Sequence, residues 1–191
     1  MTDYPNWFAQ TAQPNFEQFL TPLTRQDDLK FLQLGVYTGD ASVWLADNIL
    51  TGLGCWLIDV DTWEGSDEPD HETMDFDDVY ETYKNKTKMY KTIKHFKSTT
   101  TWFLSSVRKD PDYDFIYVDA HHTSASALLD CELSWPQLKS GGILAIDDYE
   151  WLHPDGVEIH APKLGILMFL DRHVGEYEEL ICNQQLWIRK I

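Results

Sequence analysis

Two short apolar runs that each end in aspartate constrain the fold of this chain more than any other feature. The first run, residues 115–118, is followed by Asp119. The second, residues 143–146, is followed by Asp147 and Asp148. A helix-length segment and a glycine pair separate the runs, which is the pattern of a βαβ unit with two buried parallel strands. Because ligands bind outside the carboxyl ends of such strands, three carboxylates are expected on a functional rim.

A glycine turn lies near the start of the chain. Residues 30–34 are predicted to form a strand, Gly35 and Gly39 come next, and residues 41–50 have helical spacing. This order is typical of the first βα turn of a nucleotide-binding α/β domain, because glycine permits close backbone approach and a helix N-terminus presents free N–H groups. The G-x-x-x-G spacing alone is a weak signal, so its weight depends on the residues C-terminal to it.

A second predicted strand, residues 55–61, comes after the glycine turn and also ends in acid. Asp59 and Asp61 lie about 20 residues after the glycines, where an acid can accept hydrogen bonds from both hydroxyls of a ribose. Alternatively, Asp59 or Asp61 only caps the next turn. The first interpretation predicts a nucleoside-containing cofactor at this edge.

The remaining segments continue the alternation of strands and helices. We therefore predict an α/β fold, a doubly wound Rossmann-like sheet that is mostly parallel, with about seven strands, the last one antiparallel, and helices on both faces. Residues 1–24 are predicted to form an N-terminal arm, and residues 25–191 a single domain. The acidic segment 64–78 is expected to be a solvated loop or a lid. Further helices are expected near residues 77–90, 101–107 and 162–173, a strand at 92–96, and a hairpin from 177–182 and 185–191.

Charge and cysteine content limit the partners and the compartment. The formal net charge of −17 argues against binding to nucleic acid or to an anionic membrane. Three widely spaced cysteines without a C-x-x-C pair argue against a disulfide scaffold or a zinc site and favour a reducing compartment. We find no signal peptide and no apolar run of about 20 residues that could span a bilayer. A cytoplasmic protein is therefore expected.

The three rim carboxylates favour a hard cation. Asp119, Asp147 and Asp148 form an oxygen cluster suited to Mg²⁺ or Ca²⁺, and without a cation at least one of them should be protonated. The alternative is that Asp147 and Asp148 cap a turn and Asp119 is a polar rim residue. His153 and His160, on the next loop, are expected to be exposed polar residues rather than ligands.

The chain resembles class I S-adenosylmethionine-dependent methyltransferases, and in particular the small-molecule group of macrocin and related sugar O-methyltransferases and cephalosporin-hydroxylase-type proteins. The resemblance covers residues 31–191. It is carried by six motifs in the family's order, which are LGVYTG (34–39), VDTWEG (60–65), DFIYVD (114–119) with His122, LKSGG (138–142), DDY (147–149) and QLWIR (185–189). It implies that residues 25–191 are one methyltransferase domain.

The resemblance implies roles in cofactor binding. Gly35 and Gly39, with Tyr37 between them, would line the methionine part of S-adenosylmethionine. Asp61 would hold the ribose, with Asp59 as the alternative. Further contacts would come from Ser98 near the adenine, from Gln33, and from Asp119. The family usually has an acid at the position of Gln33, whose amide can accept a hydrogen bond from the cofactor's ammonium but supplies no charge. Lys97 stands where an acid is common, and Ala120-His121 where Gly-Asp is usual.

The resemblance also implies the chemistry. Asp119, Asp147 and Asp148 match the family's divalent-metal ligands, and His122 would be the general base beside the catalytic Asp119; His121 is the competing base or a fourth ligand. We therefore expect an O-methyltransferase with Mg²⁺ or another hard divalent cation, acting on a hydroxyl of a sugar or secondary metabolite.

Other activities and the substrate side are less constrained. A family member with hydroxylase-type activity or no catalytic activity is the main alternative, and a dehydrogenase is disfavoured because the G-x-G-x-x-G spacing is missing. The substrate side is expected to be open or completed by a second subunit, as in a homodimer.

Overall fold

Seven strands form one sheet in the order β3-β2-β1-β4-β5-β7-β6. The computed structural model describes residues 4–66, 71, 73–106 and 112–191. Parts of the predicted arm and acidic loop, and the predicted end of the helix at residue 107, lie outside this range. The strands are β1 (Lys30–Leu34), β2 (Trp56–Asp61), β3 (Ile93–Lys97), β4 (Tyr113–Val118), β5 (Leu138–Ile146), β6 (Tyr177–Cys182) and β7 (Leu186–Lys190).

The direction of the strands confirms the predicted fold class. Strands β1 to β5 are parallel, and β7 runs antiparallel to both of its neighbours, β5 and β6. The chain order 3-2-1-4-5 reverses between β1 and β4, so the carboxyl ends of these two strands flank the crevice in which ligands bind in doubly wound sheets.

Helices cover both faces of the sheet. They are α1 (Gln13–Leu20), α2 (Asp40–Asn48), α3 (Phe76–Thr87), α4 (Thr100–Ser106), α5 (Ser124–Ser134) and α6 (Lys163–Arg172), and a π-helical segment, Phe8–Ala12, precedes α1. One apolar core lies between the sheet and α4, α5 and α6. The other lies between the sheet and α1 and α2, where the Phe16 ring is buried against Phe115, Tyr117 and Trp187. None of the described helices is long and apolar enough to cross a membrane.

Local capping explains where two helices begin. The Asp75 side chain accepts hydrogen bonds from the N–H groups of Asp77 and Asp78, which starts α3 and aligns acids with its positive end. Thr123 caps α5 by accepting from the N–H of Ser126. The loop between β4 and α5 is short, and it contains Asp119 and His122.

Strand β5 differs from the prediction. It begins at Leu138, five residues before the expected start at residue 143, and Gly141 and Gly142 lie inside it. The β4–β5 register shifts between Tyr113 and Phe115, and Gly141 has φ +81°. A glycine with positive φ accommodates the extra residues of such an irregularity, whereas the sequence suggested a turn.

Candidate active site

A cavity of about 600 Å³ lies above the carboxyl ends of β1, β2, β4 and β5. Its floor comes from the loops after these strands, and one wall comes from the N-terminal arm. Of the predicted site residues, the cavity is lined by Gly35, Tyr37, Asp61, Ser98, Asp119, His122, Asp147 and Asp148. The competing base His121 lines it as well.

The glycine loop packs directly against the loop after β4. Gly35 has φ +82°, and a Cβ built on it would lie 1.6 Å from the carbonyl oxygen of Asp119. The backbone N–H of Asp119 donates to the Leu34 carbonyl at 2.8 Å. Only glycine fits here, because both the backbone conformation and the space exclude a side chain. The backbone of the glycine loop is therefore in direct contact with the backbone of Asp119, a member of the acidic cluster.

Asp61 holds the glycine loop in place. Its Oδ2 accepts hydrogen bonds from the N–H groups of Val36 at 2.7 Å and Tyr37 at 3.0 Å, and its Oδ1 accepts from Trp63 N–H at 2.7 Å. A carboxylate can accept about four hydrogen bonds, so a ribose hydroxyl can still be accommodated. Ser98, predicted near the adenine, has its N–H bonded to the Asp61 carbonyl at 2.9 Å, which puts both residues at one end of the cavity.

Three residues predicted to touch the cofactor lie behind the loop instead of lining the cavity. Gln33 is buried, donates to the Gly35 carbonyl at 3.1 Å, and accepts from the Ser42 hydroxyl at 3.2 Å. Gly39 caps α2, and Asp59 is fully buried, bonded to the Tyr83 hydroxyl at 2.8 Å. In this structure the three residues do not line the cavity, and Gln33 holds the glycine loop through the Gly35 carbonyl.

A cluster of metal-ligand side chains lies at the tips of β4 and β5. One ligand atom each from Asp119, His122 and Asp148 lies within 4.8 Å of the others. His122 Nε2 is 2.9 Å from Asp148 Oδ2 and 3.7 Å from Asp119 Oδ1. This group contains His122, the predicted base, beside two of the predicted metal ligands, and it does not contain Asp147.

A hydroxyl of the neighbouring strand β4 is hydrogen-bonded to the Asp147 carboxylate. The Tyr117 hydroxyl of β4 donates to Asp147 Oδ2, and the Asp148 N–H donates to its Oδ1 at 2.8 Å. Tyr117 in turn accepts from Gln185 at 3.3 Å, and Gln185 accepts from Asn15 of α1 at 2.8 Å. A buried polar chain thus connects the N-terminal helix to the acidic cluster.

Burial and like charge set the electrostatics of the cluster. Burial raises the pKa of Asp147 well above its ordinary value, and the charges of Asp119 and Asp148 raise it further. Burial also raises the pKa of Asp119, and the charge of Asp148 raises it further. A hydrogen bond with His122 lowers the pKa of Asp119. Several carboxylates in so small a volume repel one another, and a cation would relieve this repulsion.

Backbone strain concentrates around the same cavity. Five non-glycine residues of the described chain have positive φ, and three of them, Tyr37, Trp63 and Asp148, line the cavity. Such conformations cost about 1–3 kcal/mol each and cluster at ligand-binding sites. The Trp63 indole N–H donates to the Tyr37 carbonyl at 2.9 Å, which ties two of the strained residues together.

The sequence did not identify the N-terminal arm as part of the site. Trp7, Phe8 and Thr11 line the cavity, and the Trp7 ring stacks on Tyr37 with centroids 4.6 Å apart. The aromatic density of the arm was visible in the sequence, but it did not indicate which surface the arm covers.

Asp130 was also missed. This residue of α5 lines the cavity and accepts from the Thr100 hydroxyl at 2.6 Å, and burial raises its pKa to about 6. An acid beside Ala127 and Cys131 on the helix face that packs on the sheet was the available signal.

Comparison with family models gives a match to one described as "Methyltransferase domain" over residues 32–149, which is 118 of the 191 residues. The matched span runs from β1 to the residues just after β5, and it contains the glycine loop and the acidic cluster. No curated protein matches the chain.

Solved structures share the fold at low sequence identity. A Clostridium thermocellum protein with the provisional name of rRNA methylase has a TM-score of 0.67 at 11% identity, covering 100% of this chain and 98% of its own. A Bacillus cereus O-methyltransferase in complex with S-adenosylhomocysteine has a TM-score of 0.60 at 14% identity, with 98% and 83% covered. The MycE methyltransferase of mycinamycin biosynthesis, solved with Mg, S-adenosylhomocysteine and mycinamycin VI, gives 0.62 at 15% identity, with 99% and 50% covered.

Proposed function

Because the chain belongs to the methyltransferase domain family and is a class I S-adenosylmethionine-dependent methyltransferase, we propose that it methylates a hydroxyl oxygen of a small molecule with the aid of a divalent cation. The family expected from the sequence is thus confirmed, while the acceptor atom, the cation and the acceptor class are proposals.

The observation that carries the proposal is the cluster of Asp119, His122 and Asp148 on the floor of the cavity. It lies at the tips of β4 and β5, and the glycine loop touches the backbone of Asp119. A cofactor held by that loop would therefore lie beside the cluster. Two carboxylates with a histidine beside the cofactor loop suit the activation of a hydroxyl, because a cation held there would lower the hydroxyl's pKa.

The residues present suit a hard divalent cation. Two carboxylates supply anionic oxygen ligands, as Mg²⁺ or Mn²⁺ prefers. Positive charge would offset the burial and the like-charge repulsion that raise the pKa values of Asp119 and Asp147. Asp119 and Asp148 would hold the cation. Asp147 is hydrogen-bonded to Tyr117, and it would position Asp148 by accepting a hydrogen bond from the Asp148 backbone N–H. The MycE structure, which contains Mg, supports this proposal by analogy.

When bound, S-adenosylmethionine supplies a methyl group on a sulfonium leaving group, and the cation lowers the pKa of the acceptor hydroxyl. The protein's part is positioning and proton transfer. His122 would accept the hydroxyl proton, and Asp148, whose Oδ2 is 2.9 Å from Nε2, would stabilise the resulting imidazolium. The stacked rings of Trp7 and Tyr37 form part of the cavity wall.

The cofactor contacts that we propose come from the residues that line the cavity. Gly35 and Tyr37 would lie along the methionine part, Asp61 would accept from the ribose, and Ser98 would lie near the adenine. The acceptor would enter between the arm and the residues around Trp151. We further propose that the chain forms a homodimer. We also propose that it binds neither nucleic acid nor a membrane, because its charge of −17 would be repelled by both anionic surfaces.

Two isosteric variants separate the role of His122 from that of Asp148. Asp148→Asn keeps a residue that tolerates the left-handed backbone at φ 55° and removes one ligand charge. We expect it to raise the Mg²⁺ concentration needed for half-maximal turnover. His122→Gln should lower kcat by about 10²- to 10⁴-fold, the usual contribution of a general base, with an unchanged Mg²⁺ requirement.

Glu150→Gln is the matched control, because it removes an exposed acid next to the cluster. Methyl transfer from labelled S-adenosylmethionine to a panel of hydroxylated acceptors, with EDTA and with added Mg²⁺, provides the assay. Full activity in EDTA would exclude the cation. Calorimetric binding of S-adenosylhomocysteine without transfer to any acceptor would favour a family member with hydroxylase-type or no catalytic activity.

A further inference from the structure

A second group of metal-ligand side chains lies on the loop between β5 and α6. His153 Nδ1 is 2.8 Å from one oxygen of Asp155, and His160 Nδ1 is 2.6 Å from the other. One ligand atom from each of these three residues lies within 4.8 Å of the others. From the sequence, both histidines were expected to be exposed polar residues. His160 is exposed and His153 is half-buried, and the loop brings the two side chains to opposite oxygens of one carboxylate.

We propose that His153, Asp155 and His160 bind a divalent transition-metal ion of the Zn²⁺ class, at a site separate from the Asp119 cluster. Imidazole nitrogens suit zinc and its neighbours, and two histidines with one carboxylate are a known three-ligand set that leaves a fourth position open. The cysteine count argued against a zinc site, but this set contains no thiolate.

The backbone of the loop holds the three side chains together. The Val157 N–H donates to Asp155 Oδ1 at 2.8 Å, and the His160 N–H donates to the Val157 carbonyl at 2.9 Å. The Gly156 N–H closes a turn on the His153 carbonyl at 2.9 Å. These bonds fix the path of the chain through the cluster, so a metal would need only small side-chain movements to bind.

The distances in the cluster are those of hydrogen bonds and lie close to those of ligands around one ion. Zinc bonds of about 2.0–2.1 Å in tetrahedral geometry separate neighbouring ligand atoms by about 3.3 Å. The observed 2.6 and 2.8 Å separations would therefore widen by about 0.5–0.7 Å when a metal binds between the imidazole nitrogens and Asp155. The competing explanation is an ion-pair cluster that binds no metal.

A cavity of about 250 Å³ beside the cluster makes room for the open position. His153, Asp155 and His160 line it together with His121, His122 and Trp151. The Trp151 ring contacts His122 at 5.2 Å and His153 at 5.8 Å between centroids, and Trp151 also lines the larger cavity. A metal here would fix the loop that separates the two cavities, whether or not the proposed methyl transfer is correct.

Isothermal titration of the 191-residue chain with Zn²⁺, in millimolar Mg²⁺ to occupy the Asp119 cluster, tests the proposal. We expect one Zn²⁺ per chain, and at least a tenfold loss of affinity in His160→Gln and in Asp155→Asn. Glu158→Gln, on the same loop but outside the cluster, should bind like the wild type. Co²⁺ absorption provides a second measurement, since the intense visible bands of a tetrahedral site should appear in the wild type and disappear in both variants.

Each outcome decides the question. Absence of Zn²⁺ binding by the wild type would overturn the proposal, as would equal affinity in His160→Gln and the wild type. Binding that is lost in Asp148→Asn instead would assign the zinc to the Asp119 cluster and also overturn it. Circular dichroism of the metal-free variants confirms that they fold, so a lost signal would report the site itself.

Discussion

The buried carboxyl of Asp59 should make the stability of this protein fall as the pH rises. Burial, the largest cause, raises its pKa from 3.8 to about 7; Asp61 adds to the rise, and hydrogen bonds from Ser42 and Tyr83 act against it. Because the folded state disfavours the ionised form, the contribution to stability is fully present below the unfolded-state pKa. It is lost as the pH rises through the folded-state value near 7.

The shift sets the size of the effect. A rise from 3.8 to about 7 corresponds to on the order of 4 kcal/mol, of which roughly 2 to 3 kcal/mol falls between pH 5 and pH 8. Asp59→Asn removes the titration and keeps an oxygen that can accept from Tyr83. The variant should therefore lose roughly 2 to 3 kcal/mol less than the wild type over this interval.

Urea unfolding at pH 5 and pH 8 measures this difference. Asp171→Asn, which removes an exposed carboxylate of α6, controls for the change in net charge. Other acids also titrate in this range, so the relevant quantity is the difference between wild type and variant. Parallel losses of stability in wild type and Asp59→Asn would refute the reasoning, because the carboxyl would then be ionised at no cost in the folded state.

Two further substitutions test the walls of the large cavity. Gly35→Ala should cost more than about 2 kcal/mol in thermal unfolding and abolish S-adenosylhomocysteine binding, since its Cβ would lie 1.6 Å from a backbone oxygen at φ +82°. Gly156→Ala is the control, because Gly156 also has a positive φ of +71° but a Cβ built on it has no described atom within 4 Å. This variant should bind S-adenosylhomocysteine like the wild type. Trp7→Ala removes the stacking on Tyr37, worth about 0.5–1.5 kcal/mol, and should weaken calorimetric S-adenosylhomocysteine binding by about 2- to 10-fold. Trp102→Ala, an exposed tryptophan of α4, should leave that affinity unchanged, and equal losses in both would contradict a role for the arm.

The pattern of apolar runs, glycines and acids was sufficient to predict the architecture. Strand β1 has the predicted bounds, and the antiparallel hairpin lies where its turn residues indicated. Apolar periodicity and turn residues are properties of neighbouring residues, so they can be recognised in the sequence without knowledge of the fold. Since the carboxyl ends of parallel strands share an edge, the sequence also predicted that Asp119, Asp147 and Asp148 lie near one another.

The depth of each side chain could not be predicted from the sequence. Asp59 and Asp61 both lie at the end of β2, but a strand rises about 3.3 Å per residue, so Asp59 lies about 6.6 Å further from the rim. There the glycine loop and Tyr83 cover it, while Asp61 reaches the cavity. The contacts that bury Asp59 come from residues distant in the chain.

The membership of the acidic cluster depended on tertiary contacts in the same way. The sequence placed Asp147 among the ligands, yet a hydroxyl on the neighbouring strand, Tyr117, engages its carboxylate, and His122 turns toward Asp148 instead. Likewise, Trp7 forms a wall of the site only because the arm folds back onto Tyr37. Local sequence thus determined which elements form and which ends carry acid. Long-range packing determined which of those side chains face the cavity, because that depends on which surfaces meet across the sheet.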